Sequence, residues 1–521
     1  MTSLVDVSWF DRLVLAVAPS YGVKRLRARA TTRLLTSGNG IARRHFDAAA
    51  GGRRAHGWHR RSSDANAANS ASLVALRELS RDLRRNNGWA RRAIQAIGNN
   101  VVGWGIEAKP IGVPDALAAT VGDVWREWSA TPACDFDGRL NFAGLQRLVL
   151  DTVVESGEAL ILRETGDSTT DGLRVPLRVR VLEPDYLDST RDVLQGDAGP
   201  IRQGIEFDDN GRRVAYHLFD RHPGATDGAL GAVTSRRIPA AEVIHVYTVE
   251  RPEQVRGVPW LAAAIAKLND FDDYDDAVLM QQKIASCFAA FVQDFDGTAS
   301  PIGELVEDTE TGDDLEELQP GHIAHLPPGK SIAFASPPAV SDHGTFTSTN
   351  LRRIAATLGV TYEDLTGDYS QVNFSSARLA RLAHWQNVES WRWQMLIPQF
   401  CDGVFGWFAE RAQASEGWPE QPRAEWSPPP MQMIEPDKEG LAYTRLIRSG
   451  VMTLSQAIRE RGEDPTAHFA AIAADNAELD RLGIVLDSDA RKTTGAGMIQ
   501  QDDEGDDASA AEGDDASAAA A

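Results

Sequence analysis

The sequence predicts an α+β protein in which long helices flank a β-rich middle, on three observations. Apolar residues recur at spacings of three and four from Leu76 to Val101. The period changes to two from Arg174, and helical spacing returns over Trp260–Val292 and again from Ser375 to about Ala412. At 521 residues the chain exceeds one small core and has room for roughly three or four structural units.

Taken in order, Leu76, Leu79 and Leu83, then Ala90, Ile94, Ile97 and Val101, read as two helices separated by the Asn86-Asn87-Gly88 break. Glu155-Ser156-Gly157 reads as a turn into a strand from Ala159 to Leu162. As a nucleophile elbow it fails, because Val154 replaces the glycine two residues before the serine. Val175, Leu177, Val179 and Val181 then alternate with polar or basic residues. Ile205 and Phe207 lead through Asn210-Gly211 to Val214, Tyr216 and Leu218, which predicts a hairpin with a type I′ turn and positive φ at both central residues. Val243 to Tyr247 makes a third strand. A continuous helix over Trp260–Val292 would run roughly 45–50 Å. Leu351, Ile354, Ala355 and Leu358 form a helix stopped by Gly359, and Pro398 is expected to kink the helix that follows. Thr453 with Gln456 makes a capping box for a short helix ending at Gly462.

Charge bounds the function. The formal net charge is −22, so the whole molecule repels nucleic acid and anionic membranes at long range, and DNA contact must be local or non-adhesive. Basic residues are segregated: Lys24, Arg25, Arg27, Arg29, Arg33, Arg43, Arg44, Arg53, Arg54, Arg60 and Arg61 are opposed in that stretch only by Asp47. Two readings of this arm stay open, neutralising phosphate or docking on an acidic neighbouring subunit. After Lys492 an Asp- and Glu-rich tail with a near-repeated GDDASAA unit is expected to be disordered. Cys134, Cys287 and Cys401 are too few and too far apart for a disulfide framework, which points to a reducing compartment. No run reaches the length of a membrane span. Leu13–Ala18 follows Asp6 and Asp11 rather than a basic region, which argues against a secretory leader, so a cytosolic, soluble product is expected.

No catalytic constellation can be assembled. Pro327-Pro328-Gly329-Lys330-Ser331 ends as a phosphate loop does, but two prolines remove N–H groups the cradle needs, and Ile332 to Ala335 reads as a strand. Asp270, Asp272, Asp273, Asp275 and Asp276 fail the calcium-loop pattern, since Asp275 stands where glycine is required inside a helical pattern; a solvated or interface-facing stripe fits better. His217, His245 and His384 read as polar core or interface residues rather than ligands. Trp385, Trp391 and Trp393 read as helix packing rather than base stacking. No cofactor and no metal is implied.

Five segments in order resemble the lambda-type family of tailed-phage portal proteins. They are Asp11-Arg12-Leu13 with the Arg-rich stretch to Arg33; SRDLRRNNGWA from Ser80 to Ala90, continuing from Asn99 to Ile106; Ile244 to Tyr247, then RPEQVRGVP from Arg251 to Pro259; Leu326 to Gly329; and GDYSQVNFSSAR from Gly367 to Arg378. Gly88 departs from an expected proline, and Lys330 from a common acidic residue. The resemblance implies a portal fold with long stem and crown helices and a β-rich wing, assembled as a ring, typically a dodecamer. It implies no enzyme. Residues 1–70 would be arm and linker, 71–258 helices then wing, 259–370 stem, clip and tunnel region, 371–465 wing and crown helices, and 466–521 a C-terminal region with the acidic tail.

The implied partners are double-stranded DNA passing through the channel, a separate terminase, the major capsid or a scaffolding protein, and head–tail connector proteins, at the portal vertex of the virion after assembly in the host cytoplasm. Arg81, Asn86, Asn87, Arg251, Gln254, Arg256, Gly257, Gly367, Asn373, Ser375 and Arg378 are the motif positions expected to serve structure or subunit contact. Joined to the net charge, the resemblance makes Asp270, Asp272, Asp273, Asp275 and Asp276 candidates to face the tunnel. The rival readings are a packaging ATPase or nuclease, and a nucleic-acid-binding module that uses the basic arm.

Overall fold

The computed structural model describes residues 63–166, 173–193, 199–226, 234–286 and 342–487, together with 290–294, 304–307, 314–317, 330–334, 489, 491–493 and the single residues Trp9 and Lys24. The basic arm apart from Lys24, the acidic tail, Cys287 and Pro327 to Gly329 therefore lie outside the described residues. The chain divides into residues 1–63 and 64–521, and the fold is that of the second unit.

Helices α1 (Ala65–Asn69), α2 (Leu73–Asn86) and α3 (Gly88–Val101) open it. The expected break is real: Asn87 leaves α2 in an extended conformation and accepts the Ala90 N–H as the N-cap of α3. The expected face of α2 is not. Leu79 is half-exposed, and the buried line runs Leu73, Arg77, Ser80, Leu83. Leucine spacing pointed to the wrong side because the buried side carries an arginine that ion-pairs in the interior.

Strand β1 (Glu107–Ile111), α4 (Asp115–Ala130) and α5 (Phe142–Ser156) follow. Beyond them β2 (Glu158–Glu164) pairs antiparallel with β3 (Arg178–Leu182) on one side and β8 (Val243–Tyr247) on the other. A second sheet is built from β4 (Ile201–Arg202), β5 (Ile205–Phe207), β6 (Arg213–Phe219) and β7 (Ser235–Pro239) in that order. The hairpin joining β5 and β6 is present, but its turn is not type I′. Only Gly211 has positive φ; the Gly211 N–H bonds the Asp208 carbonyl, and the Asp208 carboxylate accepts the N–H groups of Asn210 and Arg212. This aspartate-anchored turn adds residues to the loop and shifts the register after Glu206.

After a 3₁₀ turn at Trp260–Ala263, α6 spans Ile265–Ser286. The helix expected to reach Val292 stops there, and the chain returns as β9 (Ala290–Asp294). A short apolar run such as Phe288 to Val292 cannot be told from a helix by periodicity alone, and Phe291 and Val292 suit a strand. β10 (Glu304–Glu307) pairs with β11 (Asp314–Glu317), and β12 (Lys330–Phe334) pairs with β9, so the strand expected after Lys330 is present where a phosphate loop needs a helix.

Helices α7 (His343–Leu358) and α8 (Tyr362–Thr366) end at Gly359 and Gly367, and Leu351, Ile354, Ala355 and Leu358 are buried as expected. α9 (Phe374–Trp391) passes through a π-helical segment, Arg392–Cys401, into α10 (Asp402–Glu416). Pro398 sits inside the π segment, whose wider ladder absorbs the missing N–H. β13 (Arg423–Ser427) pairs with β1. Helices α11 (Pro436–Arg448), α12 (Leu454–Glu460) and α13 (Pro465–Leu482) close the described chain. Thr453 caps α12 as expected, but the Gln456 amide turns to Glu460 rather than back to the cap.

Two apolar cores result among the described residues. In the larger, Trp125, Trp128, Phe142, Phe405 and Phe408 pack ring on ring with centroids 4.9–6.2 Å apart, and the Trp128 indole donates to the Leu177 carbonyl. β2 is shared: Ala159 and Ile161 enter this core, while Leu160 and Leu162 enter the smaller one with Ile205, Tyr216 and Leu218. No described helix is long and apolar enough to cross a membrane.

Candidate functional site

A carboxylate lies at the point where β2 leaves α5. Glu158 is fully buried, and its oxygens are surrounded by donors. Oε1 accepts from the Arg256 Nε at 2.8 Å and faces the Arg77 guanidinium at 3.5 Å; Oε2 accepts from His245 Nε2 at 3.0 Å and the Gly257 N–H at 2.8 Å. Arg256 and Arg77 are themselves buried. Burial alone would raise the Glu158 carboxyl, but the Arg256 charge and the His245 hydrogen bond hold it well below the usual carboxylate range. Burial pushes His245 down to about 4, so it is a neutral donor. Three segments, at Arg77, His245 and Arg256–Gly257, thus converge on one anion.

The backbone makes this approach possible only with glycine. A Cβ on Gly257 would stand 2.1 Å from the Gly157 carbonyl oxygen, and one on Gly157, whose φ is +91°, would stand 2.5 Å from the Val258 carbonyl carbon. Gln254 holds the crossing loop: its Oε1 accepts the N–H groups of Glu250 and Arg251, and its Nε2 donates to the Arg256 carbonyl.

Around the node, α2 presents Arg77, Arg81 and Arg84 at helical spacing to a row of acids. Arg81 meets Asp185 and Glu183 and donates to the Ser156 hydroxyl, and Arg84 meets Glu155 at 2.8 Å and Asp151 at 3.3 Å. Glu183, Asp185 and His222 place ligand atoms within 4.8 Å of one another, a spacing that could hold a metal. The Arg81 guanidinium already pairs with both carboxylates, so this set reads as an ion-pair network.

Two further ties reach the helices. The Asn87 amide donates to Asp272 of α6 at 2.9 Å, joining the α2–α3 break to the acidic stripe. Arg392, almost fully buried, stops the C-terminal end of α3: its Nε donates to the Val101 carbonyl at 2.7 Å, one terminal N–H to the Asn100 carbonyl and the other to Glu389, with Trp385 stacked 4.9 Å above it.

The structure therefore brings Arg81, Gln254, Arg256 and Gly257 together and sets Asn87 against α6. It does not bring the other motif positions to this node. Asn86 bonds Asp82, Arg251 is exposed, and Gly367 closes α8. Asn373 forms a reciprocal capping box with Ser376 rather than the exposed Ser375, and Arg378 faces Glu435 and Glu439 at 3.6 and 3.7 Å. Of the acidic stripe, Asp270, Asp272, Asp273 and Asp276 are exposed and Asp275 half-buried. His217, His245 and His384 are buried, as expected. Trp391 packs on Trp260 with centroids 5.0 Å apart, but Trp393 is half-exposed and donates to Glu389, contrary to a packing role. Glu158, Arg77, His245 and Arg392 were not singled out as a site by sequence. The available signal was a charged residue heading the otherwise apolar run Glu158 to Leu162.

Residues 51–392 match the family model described as phage portal protein, lambda family, and the chain belongs to that family. A probable portal protein of Halomonas phage phiHAP-1 is 27% identical over 451 residues, covering 83% of this chain and 86% of that protein. Portal protein B of Escherichia phage lambda is 23% identical over 497 residues, covering 86% and 92%. Among solved structures, a chain in the neck of an empty gene transfer agent particle aligns with a TM-score of 0.45 at 15% identity, covering 76% of this chain and 94% of that one.

Proposed function

We propose that the protein forms the ring at the capsid vertex through which viral DNA is packaged and later ejected, and that the ring is the docking platform for a terminase and for tail connector proteins. The observation that carries this reading is the family match over residues 51–392, which contains the whole Glu158 node and the Asn87–Asp272 tie. On this reading the chain works as a conduit of about twelve copies and performs no catalysis. Residues 71–258 supply helices and wing, 259–370 the stem, clip and tunnel region, and 371–465 wing and crown helices, with 466–521 a C-terminal region beyond them. The capsid or scaffolding protein holds the ring in the head, and the site of action is the virion vertex after assembly in the host.

A rigid joint suits such a part. The buried Glu158 node fixes α2, the start of β2, β8 and the loop into α6 relative to one another, so load on one element is shared by the others. The exposed carboxylates of α6, with a formal net charge of −22 per chain, favour passage of a polyanion over adhesion to it.

Negative-stain images of the purified chain, with a filter-retention assay on linear duplex DNA, test the reading. Annular particles with a central hole and weak retention are expected. Nucleotide turnover by a monomer, or tight salt-dependent DNA binding lost on removing residues 1–61, would replace it with one of the rival readings. Changing Asp270, Asp272, Asp273, Asp275 and Asp276 together to Asn is expected to slow packaging while rings still form; unchanged packaging removes the stripe from the tunnel.

A further inference from the structure

A groove of about 880 Å³ lies between the π segment, β13 and α12. Its walls are apolar: Trp385, Trp393, Trp426 and Pro428 to Pro430 line it, and Trp393 is half-exposed. Its charges are unbalanced. Lys109 pairs with Asp464 and Arg392 with Glu389, which leaves Asp402, Glu425 and Glu460, all exposed and without a cation partner among the described residues, against Arg459 alone. The Asp402 carboxylate accepts the Trp426 indole N–H at 2.7 Å, and Glu460 accepts from Gln456 and Tyr443, so both are held as acceptors at the rim. The same wall already holds one guanidinium. Arg392 stacks 4.9 Å over the Trp385 ring while it pairs with Glu389 at 2.8 Å. An indole face beside a carboxylate suits arginine, whose planar cation stacks and donates at once. The half-exposed Trp393 with Glu425 and Glu460 offers that chemistry a second time.

The chain carries a segment of the matching kind. Residues 24–61 hold eleven Lys and Arg against Asp47 alone. They belong to the unit of residues 1–63, apart from the unit that forms the groove. Fully extended they span up to roughly 130 Å, against a radius of gyration of roughly 23 Å for a unit the size of residues 64–521, so such an arm is long enough to reach a neighbour in a ring.

We propose that this groove seats the basic arm of an adjacent copy, with arginines of the arm on Trp393 and against Glu425 and Glu460. This rests on the ring reading, and it assigns the arm to a neighbouring subunit rather than to phosphate. Every copy offers one arm and one groove, so the contact repeats head to tail and closes with the ring. The exposed pairs are individually weak, but a tethered arm stays at high effective concentration beside its groove.

The test is photo-cross-linking in the full-length chain with p-benzoylphenylalanine in place of Gln456, an exposed, uncharged residue of the groove. The solution mass of each sample is measured before irradiation, and captured peptides are then mapped by mass spectrometry. The expected result is a ladder above the monomer on a denaturing gel, with the captured peptides falling within residues 24–61. Glu425→Arg with Glu460→Arg is expected to lower that capture by roughly tenfold, and adding Arg43→Glu, Arg44→Glu, Arg53→Glu and Arg54→Glu to the same chain to restore it. Capture of the arm only within its own chain, capture of other segments, or capture that ignores the charge reversal would overturn the proposal. Rings that form without capturing the arm would overturn it while leaving the ring standing, and a chain that stays monomeric before irradiation would overturn both.

Discussion

Replacing Glu158 with Gln keeps the shape of the side chain and removes its charge. Two guanidiniums then stay buried beside a neutral amide: Arg256, which donates to the carboxylate at 2.8 Å, and Arg77 at 3.5 Å. The Gly257 N–H and His245 also face an acceptor half converted to a donor. Removing one partner of a buried ion pair costs about 3–5 kcal/mol. The shift per kcal/mol falls with size, to about 1–2 °C for the unit of residues 64–521, so the lower bound already lowers Tm by about 3–6 °C. Differential scanning calorimetry of the full-length chain at neutral pH reads this directly. Glu183→Gln, on a half-exposed carboxylate that also pairs with Arg81, is the control and is expected to cost less than about 1 kcal/mol. If Glu158→Gln melts with the control, the node does not hold the joint and the argument built on it is wrong.

Other substitutions test neighbouring parts of the account. Gly257→Ala places a methyl 2.1 Å from the Gly157 carbonyl, and soluble full-length chain is expected to be lost or to melt several degrees lower; a variant as stable as wild type would show that the crossing relaxes freely. Arg392→Lys cannot reach both the Asn100 and Val101 carbonyls, and a loss of about 1–3 kcal/mol in urea unfolding is expected, whereas an unchanged midpoint would remove Arg392 as the stop of α3. Acid should destabilise the fold through two groups. His245, at about 4 when folded against an ordinary 6.5, takes a proton more readily unfolded, so stability falls as pH drops from about 6.5 to about 4. The Glu158 carboxyl, depressed when folded, adds stability above its unfolded range that is lost as pH falls further. A Tm–pH profile flat between those values, or one that His245→Gln does not flatten, would contradict this.

The sequence was legible where each level of reasoning agreed. Thr453 caps α12, Gly359 stops α7 and β8 spans Val243–Tyr247, each where the sequence placed it. It misled where polar residues are buried or turn chemistry is local. α2 hides Arg77 and shows Leu79, because three arginines find acids from α5, β2 and the segment after β3, a pairing that no window of sequence displays. Asp208 took over the turn that Asn210-Gly211 advertised. The helix after Trp260 ended early because an apolar run of five residues suits helix and strand alike. Of the motif positions, Arg256 and Gly257 were recognisable as a pattern, but Glu158, the group they serve, lies about a hundred residues away and became visible only when β2 and β8 paired.

Light scattering on the purified full-length chain, across a range of concentrations, addresses the central claim most directly. The ring account predicts a particle of about 680 kDa for twelve copies of a 56.7 kDa chain, stable to dilution. A well-folded chain that remains at the monomer mass at every concentration, including in the presence of a capsid or scaffolding partner, would contradict it.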